Sequence, residues 1–303
     1  MIHSSKDFQI KYEAVLKSSE KNSVRAWMAE PQNSSKQRVD SISIIPEPNS
    51  EYKDKKGNKI LYFNIKDEDI IKIEMEIGIT LWKEKIDLKS ENFRIPDKPS
   101  GIFANYIKSE KFLEQDRKLK DLTERIAGKG DDTYSKIRSV FDFTVENFQY
   151  RYPIRKRGVR NLNLDDLKGD CGEYSSLFVA MCRSMGIPAV NLTGFVIFPK
   201  EGSVVEHGWS SVYLEPKGWM DFDTQYASLE NNKDKYFAQR DEYRVVFTEG
   251  FNIPLKPSIP EGFSTSYWKD AGLPVTGNSV QTLQPLVFAS KYELEFKDSI
   301  ELT

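Results

Sequence analysis

Cys171, His207 and Asp223 stand apart by residue type and by the segments that carry them. Cys171 sits in Gly169-Asp170-Cys171-Gly172-Glu173-Tyr174, ahead of Tyr174, Phe178, Cys182 and Met185 at helical spacing, and the run closes at Gly186 and Pro188. A sulfur in the first turn of a helix lies among unpaired N–H groups at the positive end of the macrodipole. Both features favour thiolate, the nucleophilic form, and the same N–H groups suit an oxyanion. His207 is the one histidine beyond His3 and enters the alternating run Trp209–Leu214, a rigid support for a general base. An acid from Trp219-Met220-Asp221-Phe222-Asp223-Thr224 then accepts the other ring N–H and fixes the tautomer; Asp223 and Asp221, on one strand face, both meet that description.

Taken singly, each residue has a structural reading: a small buried thiol, a hydrogen-bonded strand-edge imidazole, a turn-forming acid. Their order and supports point to nucleophilic catalysis instead: cysteine at a helix start, histidine at a strand start, acid on the next strand. Cys182 lies eleven residues beyond Cys171, about 16 Å along a helix, too far for a disulfide, and reads as core. Two cysteines and two histidines without a C-x-x-C pair give no metal site, and no cofactor is expected. Glu173, Tyr174 and Trp209 are candidate substrate contacts, with Trp219 a second wall; helix-end stabilisation and packing are the alternative roles.

The elements that must hold these residues follow from periodicity. Ile71, Ile73, Met75, Ile77, Ile79 and Leu81 alternate with polar residues and predict a half-buried strand, with weaker alternation at Phe8–Leu16, Ser23–Met28 and Val39–Ile45. A β-sandwich over residues 1–100 is expected. The Pro/Gly-bearing stretch Arg94–Gly101 marks a boundary. Beyond it, Phe112, Leu119, Leu122 and Ile126 mark one helix and Tyr134, Ile137, Phe141 and Phe148 another, with capping oxygens in Gly130-Asp131-Asp132-Thr133. Strands return at Val190–Phe198, Trp209–Leu214, Trp219–Asp223 and Tyr243–Phe247. A two-residue hairpin at Pro216-Lys217 would set Asp223 opposite Ser210, about 10 Å along the strand from His207, so a longer turn or a bulge is required. The predicted division is 1–100, a catalytic core at 101–255 and a strand-bearing extension at 256–303, whose strands can pair back onto the first segment.

A net charge of −2 from 44 basic and 46 acidic residues in mixed order selects neither nucleic acid nor an anionic membrane. The five basic residues between Arg151 and Arg160 read as a solvated loop. With no apolar run of about 18 residues and no leader at Met1–Leu16, a soluble, unexported chain is the default expectation, exported if the sequence was trimmed.

Gly-x-Cys-Gly-Glu-Tyr with a following Leu-Phe, Gly-Ile-Pro-Ala, His-x-Trp with a following Val-Tyr-Leu, and Gly-Trp-x-x-x-Asp-Thr together resemble the transglutaminase-like superfamily over roughly half the chain. The resemblance implies an α+β fold with a papain-like core, helices on an antiparallel sheet, and a triad of nucleophile Cys171, base His207 and orienting Asp223. It also implies a thioester-forming enzyme acting on a protein or peptide amide. Crosslinking members carry added β-domains and calcium loops, and glycan-removing relatives carry C-x-x-C metal sites. Neither is seen here, so hydrolysis is favoured. Acyl transfer to an amine and a non-catalytic binding module on the same scaffold are the other readings.

Overall fold

The computed structural model describes residues 4–85, 93–95, 101–128, 132–154, 156–265, 279–283, 285–292 and 294–303. The chain runs through β1 (Ser4–Glu30), β2 (Gln37–Ile45), β3 (Ser50–Lys53) and β4 (Lys59–Lys85) before its first helices, α1 (Arg117–Ala127) and α2 (Thr133–Asn147). Short strands β5 (Gln149–Tyr150) and β6 (Lys168–Gly169) precede α3 (Cys171–Ser184). Then come β7 (Ala189–Phe198), β8 (Ser203–Leu214), β9 (Gly218–Phe222), α4 (Thr224–Leu229), α5 (Lys233–Tyr236), β10 (Gln239–Arg240) and β11 (Arg244–Glu249). The last strands are β12 (Ile253–Pro254), β13 (Ser264–Thr265), β14 (Ser279–Val280), β15 (Leu286–Ser290) and β16 (Glu295–Leu302).

These elements sort into two compact units that the chain visits alternately. One holds residues 1–83, 193–207 and 241–303, the other 84–192 and 208–240. The boundaries at residues 100 and 255 were expected from sequence, whereas these units are each built from separate stretches of chain. Strand pairing between distant segments outweighs sequence proximity.

In the first unit, β1 is central. It pairs antiparallel with β4 over nearly its whole length, and with β16 and β15 along its other edge. The alternation seen in sequence is realised in register: Ile10 faces Ile77, Tyr12 faces Met75, Ala14 faces Ile73 and Leu16 faces Ile71, and all eight are buried. The weaker alternating runs at Phe8–Leu16 and Ser23–Met28 are two parts of β1, separated by register shifts around Asn22. The buried Asn22 amide exchanges hydrogen bonds with the backbone of Tyr292, which offsets the interrupted ladder. The sheet-rich N-terminal region is as expected, and its strands share one branched eight-stranded antiparallel sheet with the returning tail. Pairing of the tail onto the N-terminal strands is found in β15 and β16.

In the second unit, α1 starts at Asp116, whose carboxylate accepts the Leu119 N–H, and α2 starts at Asp132, which accepts the Ser135 N–H. Phe112 lies ahead of α1. Residues 96–100 of the proline-bearing boundary, and 130–131 ahead of α2, lie outside the described residues. An aromatic cluster holds the catalytic-type elements together: Phe141 of α2, Phe178 of α3, Phe222 of β9 and Phe237 pack edge to face or tilted, with centroids 5.0 to 6.2 Å apart. The C-terminal half of α3 is tied by Arg183, which donates to the Ala189 and Lys108 carbonyls and to Glu110.

Candidate active site

Cys171 is the first residue of α3, as expected, and is partly exposed. Asp170 is the N-cap. Its Oδ1 accepts the Gly172 N–H at 2.9 Å, while its carbonyl takes those of Glu173 and Tyr174. Of the N–H groups opening the helix, only that of Cys171 itself takes no partner among the described residues. One donor, not a set of them, is thus left for an oxyanion.

The charge environment of the sulfur differs from the helix-end expectation. Burial first, and then the negative charge of Asp170, push the Cys171 thiol well above its usual value; the Gly208 N–H and the Arg157 charge oppose this. The helix terminus alone does not make a resting thiolate, because the N-cap that satisfies it is itself an anion. Generating the nucleophile requires a proton acceptor.

A buried ion cluster underlies that N-cap. Arg157, with 8% of its side chain exposed, bonds Asp170 at 2.5 Å and also contacts Glu173, which is fully buried and accepts the Gly158 N–H as well. Burial would raise the Asp170 carboxyl, but the charge and hydrogen bond of Arg157 override it and hold the group below its usual range. Burial and the Asp170 charge push Glu173 up to about 8. Both causes favour the protonated form of Glu173 beside the Asp170 carboxylate.

The two candidate carboxylates have different surroundings. Ser210 pairs with Phe222 and Leu214 with Gly218, so the hairpin loop is the three residues 215–217. One loop residue more than the tight hairpin shifts the pairing by one. Asp223 follows the last paired residue, Phe222, just beyond β9, and its N–H bonds the Tyr236 carbonyl. Asp223 is buried and caps α4, its Oδ1 accepting the Tyr226 N–H at 2.9 Å. Asp221, opposite Ser211, is committed elsewhere: its Oδ2 lies 3.4 Å from Trp209 Nε1 and 3.6 Å from Arg240. His207 is buried on β8, one residue before Gly208, whose N–H reaches the sulfur.

The candidate substrate contacts have the following partners in the structure. Glu173 is sealed in the ion cluster, and Tyr174 is buried with its hydroxyl donating to the Phe148 carbonyl at 2.7 Å. Trp209 is buried against Asp221, and Trp219 packs on Tyr106 and Tyr213 near the hairpin loop. Their aromatic and acidic character is used in fixing α3, β8 and β9. Cys182 is core, as expected, with its thiol raised by burial. Tyr150, an exposed aromatic that the sequence reading did not single out, pairs opposite Gly169, two residues from Cys171.

Helices packed on an antiparallel sheet, with a cysteine opening the buried helix, define a transglutaminase-like core. Residues 120–224 match the family profile of the Transglutaminase-like superfamily, so the chain carries that core. An uncharacterized protein of Haemophilus influenzae is 24% identical over 274 residues, 79% of this chain and 74% of that protein. The uncharacterized Bacillus subtilis protein YebA is 26% identical over 162 residues, 47% of this chain and 21% of its own length. Among solved structures, a Cytophaga hutchinsonii protein provisionally described as a cysteine protease superposes with a TM-score of 0.64 at 15% identity, covering 100% of this chain and 99% of its own, and shows the shared fold. The periplasmic domain of TgpA from Pseudomonas aeruginosa aligns at a TM-score of 0.38 and 12% identity over 70% of this chain and 73% of that one.

Proposed function

We propose that this protein is a thiol-dependent amide hydrolase, cleaving a peptide or isopeptide bond through an acyl-enzyme on Cys171. One observation carries the reading: a partly exposed cysteine opens the buried helix and takes the N–H of Gly208, the residue that follows the buried His207 on β8.

In this reading His207 removes the thiol proton as Sγ attacks the substrate carbonyl carbon, and the Cys171 N–H receives the oxyanion. The imidazolium passes its proton to the leaving nitrogen, the C–N bond breaks and a thioester remains. Water, deprotonated by His207, attacks that thioester; the acid leaves and the thiol is restored. Asp223 holds the imidazole in one tautomer, its carboxylate oriented by the Tyr226 N–H. Asp221 is less suited, since Arg240 and Trp209 already occupy it.

The test compares wild type with Cys171→Ala, using a thiol-directed electrophile and a peptide library with and without an added amine. Labelling and cleavage are expected in wild type and lost in the variant. Equal labelling of both proteins, or cleavage surviving in Cys171→Ala, would refute the assignment, and amine incorporation outpacing hydrolysis would move it to acyl transfer.

A further inference from the structure

Of the basic residues between Arg151 and Arg160, Arg151, Lys156 and Arg160 are exposed, whereas Arg157 keeps only 8% of its side chain in solvent. The loop delivers it there and holds it. Gly158 has a φ of 91°, and a Cβ on it would stand 2.7 Å from the Phe112 Cα, so the backbone next to Arg157 lies directly against Phe112. The Val159 N–H donates to the Phe112 carbonyl, the Gly158 N–H to Glu173 and the Asn161 amide to the Arg157 carbonyl.

Arg157 Nη1 donates to the same Asp170 Oδ1 that accepts the Gly172 N–H, and it also contacts Glu173. Its Nε is buried and donates to no described residue. Stability alone accounts poorly for a guanidinium bonded this incompletely, since a buried ion pair contributes little over apolar packing. What it supplies is charge. Asp170 caps the helix as an Asn would, but it adds an anion one residue before the nucleophile. A carboxylate so placed opposes loss of the thiol proton, and a cation bonded to it removes that opposition. The other ionisable groups that act on the sulfur from its own helix and from β5 are Glu173 and Tyr150, and burial, their largest influence, favours the neutral form of both.

We infer that Arg157 is a positioning residue for the chemistry at Cys171, acting through Asp170: it cancels the N-cap anion so that the sulfur can pass its proton to His207. The inference rests on the proposed hydrolase and adds to it a residue from a loop that reads in sequence as solvated.

The experiment follows iodoacetamide alkylation of Cys171 in the full chain from pH 6 to 10, with the modified peptide identified by mass so that Cys182 is not counted. The charge of the cluster is the variable. Arg157→Met makes it one unit more negative, Asp170→Asn with Glu173→Gln one unit more positive, and Arg157→Met with Asp170→Asn returns it to neutral. Each unit by which the thiol is raised slows the reaction about threefold at fixed pH, because a more basic thiolate is also the better nucleophile. Arg157→Met should therefore react about threefold or more slowly than wild type at pH 7, the neutral double variant should recover most of that loss, and Asp170→Asn with Glu173→Gln should react faster than wild type. Damage to the fold would move the two unequally charged variants in the same direction, so opposite signs isolate the charge. A wild-type rate in Arg157→Met, no recovery in the neutral double variant, or no gain in the positively charged one overturns the inference, and the last arm stands even where Arg157→Met does not fold. A wild-type Cys171 inert toward iodoacetamide, or peptide cleavage by Cys171→Ala, overturns the hydrolase reading and the inference with it.

Discussion

Replacing Arg157 by Met tests the electrostatic account of the helix start, because it keeps an apolar stem of similar reach and removes the cation shared by Asp170 and Glu173. The wild-type cluster holds one net ion pair at neutral pH: Asp170 is ionised, with its carboxyl held low by Arg157 against burial, while Glu173, raised to about 8 by burial and the Asp170 charge, is mostly neutral. Arg157→Met therefore leaves one carboxylate buried with the Gly172 N–H and the Glu173 proton as partners. Loss of one partner of a buried pair costs about 3–5 kcal/mol. At about 2–4 °C per kcal/mol for a domain of this size, Tm should fall by roughly 6–20 °C. The sign of the pH dependence follows. Without the cation Asp170 is no longer held low, so the variant takes up a proton more readily on acidification and its deficit relative to wild type should shrink from pH 8 to pH 5. Thermal and urea unfolding followed by circular dichroism measure both quantities. A deficit under about 2 °C, or one that stays constant across that range, would refute the idea that Arg157 is the cluster's essential counter-charge.

Glu173→Gln mimics the protonated acid. The folded-state value near 8 lies above the unfolded carboxylate value, so the wild type loses stability from this group as pH rises from about 4.5 to 8, and the variant's melting temperature relative to wild type should climb across that window; a flat difference contradicts the raised value. Asp223→Asn should lower kcat by about 10²–10⁴ through loss of the correct imidazole tautomer while the fold persists. Asp221→Asn should act mainly on stability, since it strips the buried Arg240 of its counter-charge; paired steady-state kinetics and melts decide, and interchange of the two phenotypes would transfer the orienting role to Asp221. Gly194→Ala should destabilise the first unit by about 1–3 kcal/mol or more in urea titration, because its Cβ would stand 1.9 Å from the Val245 carbonyl oxygen; an unchanged midpoint would mean the strands can separate at little cost.

Local physics made several features readable in the residues themselves. The 71–81 strand was legible because a period of two with one buried face leaves a strong pattern, and the start of α2 because Asp132 caps it directly; the start of α1 at Asp116, four residues past Phe112, was not. The Cys171 helix was visible for the same reason, with Gly186 at positive φ ending it. The partners of Glu173, Tyr174 and Trp209 were not legible, because a polar or aromatic side chain beside a nucleophile has the same sequence signature whether it faces a ligand or a buried Arg157, a Phe148 carbonyl or an Asp221 carboxylate.

Taken alone, the chain's residues determined which chemical groups are on hand, a thiol at a helix start and an imidazole and carboxylate on successive strands, since those assignments need only periodicity and capping over a few turns. Tertiary structure decided how they are used. The one-residue choice of hairpin register, which sets the pairing of β9, depends on loop length and on which faces find partners. So do the return of β15 and β16 to β1 and the exposure of Tyr150 beside Cys171. Each is a long-range pairing whose energy belongs to two segments at once, and neither segment records it by itself.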